Sequence, residues 1–363
     1  MIYLDNAATT PICDAAKRAI IKHIDDFGNP SSAHELGRKS RLLIENARER
    51  IAKCINAEPD EIYFTSGGSE ANTWSLMFKN HLSSVFEHHS IKPQFTFCVN
   101  DSGLVDVEDF KNNVFAWYDP CRPDIASCMF VNNEIGTIQP IKELAQIARS
   151  GHMLFHTDAV QAIGHIHVDV KDINCDMLSA SGHKFGASKG VGFLYIKEGI
   201  KSYSLIHGGK QERGVRGGTE NILGIVTMAA ALEDTVEHME ERNEHVKHLR
   251  DTLLDRLLQI PGSHLNGSLE NRVVSNINIR FDGVPGARLV SLCSLYGVYI
   301  SSGSACNEGV AAPSHVLKAI GLSDDDALNS VRITLSHNNT EKDIDTATDI
   351  ITALVRQIRS NNA

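Results

Sequence analysis

Short continuous apolar runs alternate along this chain with longer stretches in which apolar residues recur every three or four positions. Ala126 to Val131, Met153 to Thr157 and Val191 to Ile196 are runs of the buried-strand kind. Helical spacing appears over roughly 36–55 (Leu42, Ile44, Ala47, Ile51), from Ile141 to Arg149, and over about 221–258 with a break near the middle (Leu232, Val236, Met239, Val246, Leu249, Leu253, Leu257). The alternation predicts an α/β chain with a mainly parallel sheet. The break near 240 is taken as the passage to a second, α+β domain, giving a large domain over 13–240 and a small one over 1–12 and 241–363. In that second part, strands over Val273 to Phe281, Val298 to Ser301 and Val331 to Leu335 alternate with helices. The last helix opens on the capping pattern Thr340-x-x-Asp343. Residues 77–100 show no regular pattern, and Tyr3 to Pro11 is an extended segment too polar for a core strand.

Polar residues stand where the apolar runs stop: Asn132, Asn133 and Glu134 after the first, Asp158 and Gln161 after the second. In α/β sheets ligands bind at those strand ends. Ser181-Gly182-His183-Lys184 lies between two apolar runs and is crowded by small residues, a confined place where a lysine's pKa can fall as a Schiff-base lysine requires. A β-type run also breaks at Gly67-Gly68-Ser69 before a helical pattern, so backbone N–H groups, a helix N-terminus and a hydroxyl together suit a phosphate. The glycine-rich stretch from Ile206 to Asn221 carries Lys210, Arg213 and Arg216 and can approach a phosphate closely. Cys306 sits in a run of small residues that predicts a mobile, exposed thiol, and Arg332 interrupts an apolar strand pattern, where an inward arginine needs an anion.

Composition narrows the partners more than the fold. The 363 residues are 42% hydrophobic and 22% charged, with a net charge of −10, which argues against a general nucleic-acid or membrane-surface binder. No stretch approaches the length and apolarity of a membrane span, and a cytoplasmic location is expected. The eight cysteines include no Cys-x-x-Cys pair and no zinc-type cluster, so no metal site is expected. Most of the cysteines are expected to be reduced, buried thiols, with Cys306 the exception.

Taken in order, eight motifs resemble one family across nearly the whole chain: Tyr3 to Pro11, Gly28-Asn-Pro-Ser-Ser32, Thr65-Ser-Gly-Gly-Ser-Glu70, Val131-Asn-Asn-Glu-Ile-Gly136, Asp158-Ala-Val-Gln161, Ser181 to Lys184, Glu212 to Thr219, and Ser301-Ser-Gly-Ser-Ala-Cys306. The resemblance is to cysteine desulfurases of the NifS/IscS type, pyridoxal-5'-phosphate (PLP) enzymes of aminotransferase class V with the fold type I architecture. The six residues between Cys306 and Pro313 match the long-loop group of that family.

The resemblance implies roles residue by residue. Lys184 matches the Schiff-base lysine. Gly68, Ser69, Ser181 and His183 match the phosphate site, with Thr219 supplied by the other subunit of a homodimer. Asp158 would pair with the pyridine nitrogen and Gln161 with the ring hydroxyl. His88 would stack on the ring, with His89 as the alternative, because the interval from Ser69 is shorter than usual in the family. Asn133 and Arg332 would hold the substrate carboxylate, and Cys306 would take sulfur from L-cysteine as a persulfide, release alanine, and pass the sulfur to an acceptor protein. Either the freed Lys184 amine or His88 would remove the α-proton. Ser188 stands where proline is common, a change expected to be tolerated. The segment after the final helix is short beside the extension with which IscS-type members dock an iron–sulfur scaffold. The alternative readings are a selenocysteine lyase or another class V enzyme, and a non-catalytic PLP-fold interaction protein.

Overall fold

The computed structural model describes residues 1–77, 79–116, 122–302, 306–307 and 310–362, and for Cys306, Asn307, Val310, Ala311 and Asn362 the backbone alone. Its strands, in chain order, are β1 (Ile2–Tyr3), β2 (Ile62–Thr65), β3 (His81–Ser84), β4 (Phe95–Phe97), β5 (Ile125–Ser127), β6 (Leu154–Asp158), β7 (Met177–Ser181), β8 (Gly192–Ile196), β9 (Ser263–Leu265), β10 (Asn276–Phe281), β11 (Val298–Tyr299), β12 (Cys306–Asn307), β13 (Val310–Ala311) and β14 (Ser330–Thr334).

Seven of these form one sheet in the order β2-β8-β7-β6-β5-β3-β4. Pairing is parallel from β7 through β6, β5 and β3 to β4, and β8 runs antiparallel to both β7 and β2. Helices cover both faces, as a sheet of near-continuous apolar strands demands. The mainly parallel α/β sheet of the fold type I architecture is therefore present. A large hydrophobic cluster surrounds this sheet and includes Ile44, Ile51, Phe64, Phe110, Phe155, Leu178, Phe193 and Met228. A second cluster, with Leu253, Leu257, Ile277, Phe281, Ile333, Ile351 and Val355, lies on the antiparallel sheet β14-β10-β9 and the helices Met239–Leu258 and Glu341–Asn362.

Several elements depart from the pattern's expectation for identifiable reasons. The helical stretch over 221–258 does break near its middle as expected, into Ile222–Glu237 and Met239–Leu258 joined at His238, whereas other elements differ. The first strand ends at Ser127 rather than Val131, although the N–H groups of Cys128 and Phe130 still reach the carbonyls of His156 and Asp158 on β6. Residues 77–100, patternless as sequence, contain β3 and β4. All four residues of β3 are buried although three are polar; the His81 ring meets the Lys92 carbonyl and Ser84 Oγ meets Glu87 Oε1, whereas Ser83 Oγ has no partner among the described residues. The N-terminal segment does enter a sheet: β1 pairs parallel with β11, and Leu4, Asn6 and Ala7 are buried. Of the cysteines, Cys128, Cys175 and Cys293 are buried as expected, Cys13 and Cys54 are half-buried, and Cys98 is exposed. Cys121 lies outside the described residues. The capping pattern before the last helix forms as read, with Thr340 N–H on Asp343 Oδ2 and Asp343 N–H on Thr340 Oγ1.

Candidate active site

Parallel pairing puts the C-terminal ends of β5, β6 and β7 side by side, and each carries a polar residue to the same edge. Asp158 ends β6, Ser181 ends β7, and the single turn Gly182–Lys184 follows at once. The antiparallel strand β8 brings β2 and its following turn to this edge, so the helix Gly68–Leu76 starts beside Ser181. A side chain at Gly192 would place its Cβ 2.8 Å from the Gly67 Cα, so only glycine permits that approach. Ser69 is exposed in the first turn of the helix, where N–H groups have no helical partner.

Lys184 reaches into this edge and donates to two carbonyls of the N-terminal segment, Ala7 at 2.6 Å and Ala8 at 2.9 Å. Gln161 Nε2 donates to the same Ala7 carbonyl, and His183 Nδ1 lies 3.1 Å from Thr9 Oγ1. Residues 7–10 thus form a strap over the lysine. Burial, and then the charge of Arg332, lower the Lys184 pKa to about 8, against the pull of Asp158 and Asp5. That is the confined lysine the small-residue turn predicted.

Asp158 is fully enclosed. Burial raises its pKa, while Val160 N–H on Oδ1, Asn72 Nδ2 on Oδ2 and the charges of His88 and Lys184 resist that rise. His88 faces Asp158 and Lys184, and burial lowers its pKa. His89 is exposed and turns to His315, ring to ring at 4.8 Å. Asn72 and Ser90, which link Asp158 to His88, were not singled out in the sequence. Their signal was available in spacing alone, since Asn72 lies one helical turn beyond Ser69 and Ser90 two residues beyond His88.

Arg332 on β14 donates through Nη2 to Asp5 Oδ1 at 2.8 Å and through Nη1 to the carbonyl of Asn133 at 2.9 Å. Its Nε is buried without a hydrogen-bond partner among the described residues. The residue turns inward as expected, yet part of its charge is met by Asp5, which no local pattern marked, and Asn133 engages it through the backbone. The neighbouring Glu134 is buried and its pKa rises to about 7, with Ser314 Oγ on its Oε2 at 2.5 Å.

The glycine-rich stretch is pinned rather than loose, and its two arginines are occupied locally while Lys210 is exposed. Arg216 forms a two-pronged pair with Glu70 at 2.8 and 3.0 Å, and Arg213 stacks on Tyr63 at 4.0 Å. Glu212 is held by Arg48. Thr219 is exposed in a separate cleft beside Thr65, Ser66, Gly190 and Arg216. The backbone of Cys306 pairs with Ala311, and its side chain lies outside the described residues. A cavity of about 640 Å³ touches Lys184 from the side of the strap and the 234–243 segment and is lined by neither Asp158 nor His88, so its size does not mark the chemistry.

Residues 2–346 match the aminotransferase class-V family. The chain is 41% identical to a protein named cysteine desulfurase IscS from Methanosarcina thermophila, over 99% of this chain and 93% of that relative. It is 35% identical to cysteine desulfurase NifS of Azotobacter vinelandii, over 99% and 94%. Among solved structures, a NifS-like protein from Rickettsia africae superposes with a TM-score of 0.91 at 31% identity, covering 98% of this chain and 99% of that one. SspA in complex with cysteine superposes with a TM-score of 0.79 at 33% identity, covering 94% and 100%. The chain belongs to the cysteine desulfurases of the NifS/IscS type, PLP-dependent enzymes of aminotransferase class V that convert L-cysteine to L-alanine.

Proposed function

We propose that Lys184, Asp158, His88, Arg332 and Cys306 divide the desulfurase reaction among them. The observation that carries this is the pairing of a desolvated amine, Lys184, with an enclosed carboxylate, Asp158, at one sheet edge. That pair fits PLP: the amine can hold an aldehyde, and the acid gains a positive partner when it meets a ring nitrogen. Pyridoxal phosphate, when bound, supplies a carbonyl carbon for amines and a protonated ring that draws electrons from the substrate's Cα. Asp158 holds the proton at the ring nitrogen. Gly68, Ser69, Ser181 and His183 take the phosphate, Gln161 takes the ring hydroxyl, and His88 rather than His89 covers the ring. Asn133 and the free Nε of Arg332 orient the cysteine carboxylate.

Lys184 Nζ takes the α-proton of the substrate. The Cys306 thiolate attacks the substrate sulfur, so that an S–S bond forms as the C–S bond breaks; its electron pair stays with the carbon skeleton, which is protonated and leaves as alanine. The persulfide on Cys306 then passes to an acceptor protein, in iron–sulfur assembly or a related thiolation. Residues 13–240 serve as the cofactor domain, while 1–12 with 241–363 carry Arg332 and the cysteine loop. Two chains form a homodimer in the cytoplasm, in which Thr219 of each completes the phosphate site of the other.

The test has two parts. Borohydride reduction of the yellow holoenzyme followed by peptide mapping should place the pyridoxyl adduct on Lys184; an adduct on any other lysine overturns the assignment. Cys306→Ala should keep the cofactor and lose persulfide formation and sulfide release. A Cys306→Ala variant that keeps most of its activity removes the thiol from the mechanism.

A further inference from the structure

Asp158 fixes the direction of every hydrogen bond in a chain that runs from it to His88. An ionised carboxylate only accepts, so the Asn72 atom 2.6 Å from Asp158 Oδ2 is the amide nitrogen. That nitrogen lies 3.0 Å from Ser90 Oγ and donates there with its second hydrogen. The Ser90 hydroxyl is left with its own proton for His88 Nδ1, 2.7 Å away. The Ser90 backbone N–H, 3.1 Å from the same ring nitrogen, can also only donate. Two donors therefore converge on the Nδ1 lone pair, and the neutral ring carries its proton on Nε2.

We propose that Asn72 and Ser90 are positioning residues that hold His88 in its Nε2–H tautomer and tie its ring to Asp158. His88 then meets cofactor and substrate as a hydrogen-bond donor, and the lone pair that takes the α-proton belongs to Lys184. The proposal rests on the reading that His88 faces the cofactor. It decides between the two bases that the resemblance left open.

Protonating Nδ1 would require the Ser90 hydroxyl to turn away and would set its backbone N–H against a second N–H. The wiring therefore opposes the charged ring, in the same direction as burial. Four other groups face His88. Asp158 favours the charged ring, whereas Lys184, His89 and, from the helix His315–Ala319, His315 disfavour it. All four are unchanged by substitutions at Ser90, so a change in titration there reports the hydroxyl.

The experiment is nitrogen NMR of holoenzyme carrying labelled histidine, with the His88 signals assigned from their loss in His88→Gln. Wild type should show an unprotonated Nδ1 and a protonated Nε2 through the neutral range. In Ser90→Ala the His88 titration and the acid limb of kcat/KM should both move up by roughly half to one pH unit, the worth of one hydrogen bond. Ser90→Thr, which keeps the hydroxyl, should return both to the wild-type position. A protonated Nδ1 in wild type, or a Ser90→Ala titration that matches wild type, overturns the proposal. Full activity in His88→Gln overturns it as well, and the NMR result then shows that the failed step is the cofactor-facing reading and not the tautomer.

Discussion

Arg48 and Arg332 are both buried and both meet a carboxylate, yet the chain treats them differently. Arg48 sits at 2.9 and 3.0 Å from the two oxygens of Glu212, donates also to the Ile62 carbonyl and to Glu45, and lies 4.6 Å over the Phe64 ring. Glu212 in turn accepts the Phe64 N–H. Burial works against the Arg48 charge, but the bonds to Glu212 outweigh it and hold the guanidinium above its ordinary range. Arg332 meets a single oxygen of Asp5 and one carbonyl, and its Nε has no partner among the described residues. A guanidinium with every donor used is a structural part. Arg332 keeps, among the described residues, an enclosed unmet donor close enough to Lys184 for its charge to act there, and such a donor costs free energy until something arrives to accept from it.

The sharpest break in that comparison is Arg48→Ala. Removing one partner of a buried pair leaves the other charge uncompensated, so stability should fall by about 3–5 kcal/mol, read from urea denaturation of the holoenzyme. Glu212→Ala should cost a similar amount. The apolar double substitution Arg48→Met with Glu212→Leu should recover much of it, because no charge is then stranded. The fraction that remains folded should keep kcat/KM within a few-fold of wild type. A large loss of cysteine turnover by folded Arg48→Ala would erase the distinction between the two arginines.

Arg332→Ala should invert that pattern. The expected loss is about 2–5 kcal/mol in transition-state stabilisation, roughly a 30-fold to few-thousand-fold drop in kcat/KM for L-cysteine. Stability should change by about 1 kcal/mol, because Asp5 is partly exposed and can be hydrated once its partner is gone. Arg332→Lys should not restore turnover, since a point charge cannot serve Asp5, the Asn133 carbonyl and a substrate carboxylate together. Loss of PLP with unchanged cysteine affinity would mark Arg332 as a second Arg48.

The two arginines also show what a linear reading can and cannot see. Arg332 was legible because a charge inside an apolar strand pattern is a local anomaly. Lys184 and Asp158 were legible for a related reason, one in a turn of small residues and the other at the end of an apolar run. The Arg48–Glu212 pair was not, because its members lie 164 residues apart and each looks ordinary in place: an arginine on an amphipathic helix and a glutamate in a glycine-rich loop. The strap from Ala7 to Thr10 was missed likewise, since its polar residues suggest solvent until Lys184, Gln161 and Thr334 are brought to them from far along the chain. Strand β3 hides differently: three of its four side chains are polar and yet enclosed, so no apolar period announces it.

A third buried group, the acidic Glu134, sharpens the contrast because among the described residues no cation is bonded to it. Its carboxylate accepts from Ser314, and Arg332 is the charge near enough to favour ionisation, but burial prevails and lifts its pKa to about 7. Unfolded, the same group titrates in the ordinary glutamate range, so between roughly pH 4.5 and 7 the folded state holds the extra proton. Stability therefore falls as pH rises through that window, and the cost is complete above about pH 7. Glu134→Gln keeps an acceptor for the Ser314 hydroxyl and removes the titration. The variant should match wild type at acid pH and exceed it by roughly 1–3 kcal/mol at pH 8. Denaturation midpoints of the two proteins across this range measure the difference directly. Because Glu87 and Asp158 titrate identically in both, the subtraction isolates residue 134. A wild-type protein that is the more stable of the two at pH 8 would mean that Arg332 supports the Glu134 charge as fully as Glu212 supports Arg48, and that the donor left spare on Arg332 is not spare.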